Sequence, residues 1–256
     1  MNILCPVCKK ILYREDRSYR CENGHCFDLA KEGYLNLNLK NSQNTGDNPT
    51  MIKARKAFLE KGYYQFLRDG VNALIDNEDE LVDLACGEGY YTSFFNAKER
   101  IGIDLSKTGL KIASKSDPDG IYLLNSIFHD PLEDESADVI TTIFAPLAKE
   151  EIVRILKPKG RFIFVRPDQR HLYELKEVLY DEPYLNETKN IDIEGLTLEK
   201  QIPIAQKREV PQEDLQNLFM MTPYFNTTSD KDKEKLKKSE SLNITFAFLI
   251  DVYRKS

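Results

Sequence analysis

The chain has 256 residues, a formal net charge of −6 and 41% hydrophobic residues, which is the composition of an ordinary globular protein large enough to bury a core without disulfides. No apolar run reaches membrane-spanning length, so we expect a cytoplasmic protein with no membrane partner. The negative charge excludes a protein that holds nucleic acid by bulk electrostatics: we expect no DNA partner, and any RNA must meet a local basic patch.

The first 39 residues predict a small metal-binding unit. Four of the five cysteines, Cys5, Cys8, Cys21 and Cys26, lie in the first tenth of the chain, which in a reducing cytosol favours metal ligation over disulfides. The C-x-x-C spacing of Cys5 and Cys8 is that of a zinc knuckle, and Cys21 adds a third thiolate. Either His25 or Cys26 completes a closed, structural zinc site. The alternative is that these cysteines are only small buried apolar residues.

A strand, a linker and a helix follow the cysteine cluster. The alternation of Tyr34–Leu39 predicts a strand at the end of the first unit. Residues 40–49 are polar and predict a linker, at whose end Asp47 or Asn48 caps a helix that starts at Pro49 and stops before Gly62. The predicted units are therefore residues 1–39, the linker 40–49 and a second domain over residues 50–256.

From Glu80 onward, short apolar runs alternate with helix-like segments. Short buried runs separated by helices predict a parallel sheet with right-handed crossovers, and hence an α/β fold. Two late segments, Thr197–Ala205 and Asn243–Tyr253, predict a terminal pair of strands, and Asp230–Glu240 predicts a solvated helix. The predicted central strands are Leu81–Ala85, Ile101–Asp104, Tyr122–Leu124, Val139–Ala145 and Phe162–Val165.

The first two predicted strands end in residues suited to a nucleotide-like ligand. The strand at Leu81–Ala85 runs into a turn with Gly87 and Gly89, where the backbone can pass close to a ligand. The second strand ends in Asp104, at the spacing expected for an acid that binds ribose hydroxyls, although a helix cap is the alternative role. A dinucleotide-binding turn has a third glycine at the position of Thr92. Because that glycine is missing, the pattern favours S-adenosylmethionine over a dinucleotide as the ligand.

The whole chain resembles the RlmA family of large-subunit rRNA guanine-N1 methyltransferases. The resemblance implies a class I methyltransferase fold, with a Rossmann-like sheet and a small N-terminal zinc-binding module. The family's zinc ligands fall on Cys5, Cys8, Cys21 and His25, and its cofactor contacts fall on Tyr64, Gly87, Glu88 and His171. The matching motifs are Cys5–Cys8, Cys21, Gly24-His25, Phe27-Asp28, Ala30–Tyr34, Ala54–Leu59, Gly62–Tyr64, Gly87–Thr92, Ala145-Pro146, Arg170–Leu172 and Met221–Pro223.

The implied reaction moves a methyl group from S-adenosylmethionine to N1 of a guanine in 23S rRNA. Guanine N1 carries a proton at neutral pH, and the sequence does not identify the group that accepts it. Asp168, His171 and Glu88 are candidates by location, whereas the resemblance assigns His171 and Glu88 to the cofactor. We expect Tyr64 to fold back as a flap over the cofactor, with a core aromatic as the alternative, and Asn125 to lie near the adenine.

The acceptor side is assigned to two regions. The turn Phe144–Leu147 follows the fourth predicted strand and is expected to support a looped-out guanine. The zinc unit interleaves basic and aromatic residues that could hold phosphates and unstacked bases, unless they form a plain solvated surface. These are Lys9, Lys10, Arg14, Arg17, Arg20 and Lys31, with Tyr13, Tyr19 and Phe27.

Two other functions remain open at this stage. One is methylation of a small molecule or a protein, with the zinc unit as a structural lid. The other is a non-catalytic, zinc-dependent RNA-binding protein without affinity for the cofactor. A homodimer is compatible with each of them.

Overall fold

A computed structural model describes residues 1–39 and 48–256. The N-terminal unit contains a small antiparallel sheet in the order β1-β2-β3. Its strands are β1 (Tyr13–Glu15), β2 (Ser18–Arg20) and β3 (Cys26–Asp28). The turn between β2 and β3 is closed by hydrogen bonds from the N–H of Cys21 to the carbonyl of His25 and from the N–H of Gly24 to the carbonyl of Cys21. This turn holds Cys21 and His25 close together.

The main sheet has eight strands in the order β10-β11-β9-β8-β5-β6-β7-β4. The pairs from β4 to β9 are parallel, whereas β11 pairs antiparallel with both β9 and β10. The predicted α/β class, the five central strands and the terminal strand pair are thus confirmed. The strands are β4 (Leu35–Asn36), β5 (Glu80–Leu84), β6 (Glu99–Asp104), β7 (Ile121–Leu124), β8 (Ala137–Ile143), β9 (Leu156–Pro167), β10 (Leu196–Pro211) and β11 (Ser241–Lys255).

Eight helices connect or cover the strands over the described residues. The first begins as predicted: Asn48 caps it by accepting a hydrogen bond from the N–H of Met51 at 2.9 Å, and Pro49 is its first residue. The helices are α1 (Pro49–Glu60), α2 (Gln65–Asn72), α3 (Lys107–Ser116), α4 (Lys149–Ile155), α5 (Tyr173–Leu179), α6 (Gln212–Met220), α7 (Tyr224–Thr227) and α8 (Asp230–Lys237), with a 3-10 turn at Thr92–Phe94. None of these helices is long and apolar enough to cross a bilayer.

The N-terminal unit packs on one face of the main sheet. Leu35 of β4 is 1% exposed and belongs to the same apolar cluster as Ile3, Val82 and Leu84. A bridge between Ile3 and Leu132 adds a backbone connection. The segment predicted as a strand of the first unit therefore provides the edge strand of the main sheet, because its alternating leucines complete a core that the short unit lacks.

Tyr19 and the predicted linker were two further expectations from the sequence. Tyr19 is 7% exposed and lies inside the shared apolar cluster, so its ring cannot stack on an unpaired base as predicted. The predicted linker, residues 40–49, lies outside the described residues except for Asn48 and Pro49 at the start of α1.

Candidate active site and metal centre

The ligand atoms of Cys5, Cys8, Cys21 and His25 all lie within 4.8 Å of one another. The Sγ atoms of Cys8 and Cys21 are 3.6 Å apart, and Nδ1 of His25 lies 3.6 Å from Sγ of Cys5 and 3.4 Å from Sγ of Cys21. A tetrahedral zinc ion with Zn–S bonds of about 2.3 Å requires ligand separations of about 3.6–3.8 Å. The four residues therefore fit a structural zinc ion, with every position filled by protein.

Cys26, which spacing alone left as an alternative ligand, lies apart from this cluster. Its side chain is exposed on β3, with Sγ 4.0 Å from Oδ1 of Asp28. Within the cluster, a hydrogen bond from the backbone of Lys10 lowers the pKa of the Cys8 thiol to about 6, which favours the thiolate that zinc binds. We accordingly retain His25 as the proposed fourth ligand.

A cavity of about 650 Å³ opens at the carboxyl ends of β5, β6, β8 and β9. Because parallel strands end at the same edge of a sheet, residues distant in sequence meet there. The walls combine an acidic end near β5 and β6 with an apolar, aromatic end near β8 and β9. Its lining includes Arg55, Tyr64, Asp83, Gly87, Glu88, Tyr91, Asp104, Phe128, Phe144, Pro146, Arg166, His171, Thr222 and Tyr224.

The turn after β5 is tied to the end of β6 by Asp104. One carboxylate oxygen of Asp104 accepts the N–H of Gly87 at 2.9 Å, and the other accepts the N–H of Ser106. Gly87 has a φ of +57° and Gly89 a φ of +78°, both in the left-handed region that glycine adopts without strain. An ionised carboxylate can accept about four hydrogen bonds in all, from backbone and ligand donors alike.

Gly89 supports the turn from outside the cavity. A Cβ atom at this position would lie 2.8 Å from Cβ of Ala113 on α3, so glycine lets the helix approach the turn closely. Gly89 is not among the described residues that line the cavity. The structure therefore shows Gly89 shaping the turn, and the predicted direct contact with the cofactor stays a prediction.

Two charged residues join the acidic end of the cavity. Glu88 is 6% exposed, and its Oε2 lies 3.6 Å from Nη1 of Arg55 on α1. Asp83 is buried, accepts hydrogen bonds from the hydroxyls of Thr92 and Thr141, and has its pKa raised to about 6 by desolvation. The sequence analysis placed Arg55 in a matching motif but assigned it no role, because only the packing of α1 brings it to the β5 turn.

Tyr64 is a buried wall of the cavity and not a flap. It is 3% exposed at the start of α2, and its ring centroid lies 5.0 Å from that of Phe248 and 5.4 Å from that of Phe246. Burial raises the pKa of its hydroxyl well above the usual value. Tyr64 is thus a core aromatic residue, which was the alternative to a flap, and it also lines the cavity.

His171 lies next to Tyr64 as a buried, neutral imidazole. Desolvation, with a smaller contribution from Lys176, lowers its pKa to about 3. Nδ1 accepts the N–H of Ala247 at 3.3 Å, which assigns the remaining ring proton to Nε2. His171 can therefore donate a hydrogen bond into the cavity from Nε2. Its lone-pair nitrogen, Nδ1, already accepts the N–H of Ala247.

Besides Gly89, two other sequence-predicted residues, Asn125 and Asp168, lie outside the cavity lining as far as the described residues show. Asn125 is buried after β7, where its side-chain amide donates to the carbonyl of His129 at 2.7 Å. Asp168 accepts the N–H of Gln169 through its own carboxylate at 2.7 Å. The geometry gives neither the adenine contact of Asn125 nor the proton-accepting role of Asp168 any direct support.

Sequence reasoning missed two aromatic residues of the cavity lining, Phe128, which follows β7, and Tyr224, which lies in α7. Phe128 is 50% exposed and Phe144 is 41% exposed, although both line the cavity. Phe144 has a φ of +57° directly after β8, an uncommon conformation for a bulky residue that turns the chain into the predicted Phe144–Leu147 turn. Tyr224 lines the cavity from a segment 80 residues after Phe144. The only sequence feature that pointed to this segment was the family motif at Met221–Pro223.

We expect replacement of His171 by glutamine to reduce the loss of stability in acid. Between the folded pKa of about 3 and the unfolded value of about 6.5, only the unfolded chain binds a proton at this site. Unfolding is therefore favoured as pH falls through that range, by about 1.4 kcal/mol per pH unit. From about pH 6.5 to about pH 4.5, the wild type should lose about 2–3 kcal/mol more than the variant in urea unfolding.

The comparison with the variant removes the contribution of Asp83, which has the opposite sign. Its raised folded pKa means that the native state holds a proton that the unfolded chain has released, so its contribution to stability falls as pH rises through the same range. Asp83 is present in both proteins and cancels. Equal acid losses in wild type and variant would contradict a buried neutral imidazole.

Both the N-terminal unit and the sheet domain match families of known proteins. Residues 3–42 match a family model described as RlmA, N-terminal, a zinc ribbon, and residues 82–164 match one described as a methyltransferase domain. A 23S rRNA (guanine(748)-N(1))-methyltransferase of Streptomyces fradiae is 33% identical over 186 residues, which are 68% of this chain and 66% of that one.

Further relatives extend the match. A Micromonospora griseorubida protein provisionally assigned as a 23S rRNA (guanine-N(1)-)-methyltransferase is 31% identical, over 70% of each chain. A Bacillus subtilis protein with the same provisional assignment is 29% identical over 94% of this chain and 93% of its own. Among solved structures, a SAM-dependent methyltransferase from Aquifex aeolicus has a TM-score of 0.42 and 19% identity, over 48% of this chain and 75% of that one.

Proposed function

Because this chain belongs to the RlmA family of 23S rRNA (guanine-N1)-methyltransferases, we propose that it transfers a methyl group from S-adenosylmethionine to N1 of a guanine in 23S rRNA. The observation that carries the proposal is the combination, in one chain, of a cysteine–histidine cluster that fits zinc and a cavity at the strand ends whose acidic end surrounds a glycine turn. We place the enzyme in the cytoplasm, with 23S rRNA and not DNA or a membrane as its partner.

The cofactor supplies an electrophilic methyl group, and the chain's own residues bind and orient it. We propose that Asp104 accepts hydrogen bonds from the ribose hydroxyls and that the turn at Gly87 and Glu88 holds the neighbouring part of the molecule. Arg55, beside Glu88, provides a cation for the carboxylate of S-adenosylmethionine at the acidic end of the cavity. Tyr64 and His171 close the cavity on the aromatic side, where His171 donates from Nε2.

We propose that the acceptor guanine enters at the aromatic end. Phe144 is an exposed ring on the cavity wall at this end, and an unstacked base gains stacking energy on such a ring. Tyr64 and His171 are buried parts of the wall, and low exposure to water strengthens polar contacts beside them. The residues then act mainly by holding donor and acceptor at near-attack distance, an effect worth several orders of magnitude in rate.

The zinc unit is proposed to contact RNA through its exposed basic and aromatic side chains. Tyr13 is 61% exposed and offers a ring for stacking. Lys10 and Arg20 are partly neutralised by ion pairs with Glu22 at 3.0 Å and Glu15 at 3.2 Å. The remaining exposed basic residues are therefore the better candidates for phosphate contacts, namely Lys9, Arg14, Arg17 and Lys31.

Methyl transfer from labelled S-adenosylmethionine to purified 23S rRNA tests the proposal. We expect label in 23S rRNA and, after nuclease digestion and mass spectrometry, 1-methylguanosine as the labelled nucleoside. Label that appears instead in metabolite or protein fractions would favour the small-molecule or protein alternative. An absence of S-adenosylhomocysteine binding in a calorimetric titration would favour the non-catalytic alternative.

A further inference from the structure

Asn186 connects three parts of the chain beside the aromatic end of the cavity. It lies between α5 and β10, in a segment without regular secondary structure. Its side-chain amide nitrogen donates to the carbonyl of Asp168 at 2.9 Å and to the carbonyl of His171 at 3.0 Å. Its own backbone N–H donates to the carbonyl of Gln169 at 2.9 Å. Three of the four residues from Asp168 to His171 are thus tied to this single asparagine.

The oxygen of the Asn186 amide is occupied by two different donors. Nζ of Lys176 donates to it at 2.7 Å, and the hydroxyl of Tyr224 donates to it at 3.3 Å. With a cation on the oxygen and two carbonyls on the nitrogen, only one orientation of the amide satisfies every partner. Asn186 therefore links the turn that carries His171 to the segment that carries Tyr224, and both residues line the cavity.

Lys176 is a buried cation held by neutral groups. It is 1% exposed on α5, and besides Asn186 it donates to the carbonyl of Tyr184 at 3.0 Å. Its Nζ also lies 4.1 Å from the ring centroid of Tyr184 and 5.3 Å from that of Tyr224. Among residues 1–39 and 48–256 it has no carboxylate partner, and such a buried lysine costs stability, since burial disfavours its charge. Packing alone would be better served by an apolar side chain, which points to a role for the charge.

The turn that Asn186 holds is also strained. Leu172, which directly follows His171 and lines the cavity, has a φ of +56°, a strained conformation for a bulky residue that is not glycine. Such a conformation persists only where the surroundings over-determine it. The bonds to residues 168–171 provide that constraint from one side, and the bond from the N–H of Leu172 to the carbonyl of Thr245 provides it from the other.

We infer that Asn186 and Lys176 are positioning residues that fix the His171 turn relative to Tyr224, and so set the width of the aromatic end of the cavity. The inference rests on the proposed function in one respect: this end receives the acceptor guanine. Neither residue is among those that line the cavity, so each acts through the residues it holds. Because methyl transfer depends on alignment, a small change in this width lowers the rate of the chemical step.

Replacing Asn186 by aspartate separates positioning from folding. Aspartate keeps the oxygen that meets Lys176 and gains an ion pair with it, but it loses the two donor bonds and faces the carbonyls of Asp168 and His171 with an oxygen. We expect the single-turnover rate constant for methyl transfer to 23S rRNA, at saturating cofactor and RNA, to fall at least about tenfold. A merely structural role would reduce the amplitude, through a smaller folded fraction, and leave the rate constant unchanged.

Two further variants complete the test. Asn190→Asp makes the same change at an exposed asparagine of the same segment and should keep the rate constant within about twofold. Lys176→Met removes the cation that orients the amide and should slow the reaction as Asn186→Asp does. The double variant should be no slower than the slower single variant, because both act through one network.

Hydrogen–deuterium exchange provides a readout that does not depend on activity. In Asn186→Asp, but not in Asn190→Asp, the amides of His171 and Leu172 should exchange about tenfold faster or more than in the wild type. Unchanged exchange, or an unchanged rate constant in Asn186→Asp, would overturn the positioning role. If the wild type itself methylates no rRNA, the proposed function fails, and the exchange result still decides whether Asn186 fixes the turn.

Discussion

Replacing Cys21 by alanine is expected to release zinc and to abolish methyl transfer to 23S rRNA. Cys21 is buried, with Sγ 3.6 Å from that of Cys8 and 3.4 Å from Nδ1 of His25. Zinc binding supplies about 10–16 kcal/mol to small zinc-dependent folds, so the unit loses most of its folding free energy with one ligand. Elemental analysis of the purified variant, together with methyl incorporation into rRNA, measures both effects.

Cys26→Ala is the matched control for this experiment. It removes the same thiol from an exposed site on β3, only five residues away, and should keep both zinc and activity. Zinc loss in Cys26→Ala with retention in Cys21→Ala would refute the proposed ligand set. Normal rRNA methylation by zinc-free Cys21→Ala would show instead that the zinc unit is not the RNA-recognition module.

The same variant tests how far the two units are independent. The sequence predicts that Cys21→Ala keeps its affinity for S-adenosylhomocysteine within a few-fold, because a polar linker separates the cysteines from the cofactor residues. One apolar cluster joins Ile3 and Leu35 to Val82 and Leu84. We therefore also expect Cys21→Ala to unfold in a single thermal transition, at a lower temperature than the wild type. Each kcal/mol lost lowers Tm by about 2–4 °C in a chain of this size. Two calorimetric transitions would instead show independent unfolding.

Replacing Asp104 by alanine should weaken S-adenosylmethionine binding at least about tenfold, which corresponds to about 1.4 kcal/mol. Hydrogen bonds from ribose hydroxyls to a carboxylate contribute about 1.5–3 kcal/mol. The substitution also removes the acceptor that holds the N–H of Gly87, so the turn after β5 loses its anchor to β6. Titration calorimetry with S-adenosylhomocysteine measures the effect.

Asp119→Ala serves as the control for the change in charge. Asp119 is exposed in the loop that follows α3, away from the described residues that line the cavity. We expect its affinity for S-adenosylhomocysteine to match that of the wild type. If Asp104→Ala binds as tightly as Asp119→Ala, the end of β6 does not hold the ribose, and the role of Asp104 is limited to anchoring the turn.

The sequence by itself determined the features that depend on short stretches of chain. Apolar runs of three to seven residues located the central strands, and the last residue of one run, Asp104, lies beside the glycine turn as predicted. The C-x-x-C spacing of Cys5 and Cys8 likewise needs only a tight turn. Such patterns are readable because backbone periodicity and turn chemistry act over a few residues.

Only the tertiary structure decided which side chains meet across the fold. His25 and Cys26 are neighbours in sequence, yet one joins the cysteine cluster and the other is exposed on β3. Tyr64 became a wall because α2 packs its ring against Phe248, a residue 184 positions away in the chain. Contacts of this kind depend on how whole helices and sheets pack, a property that no local pattern encodes.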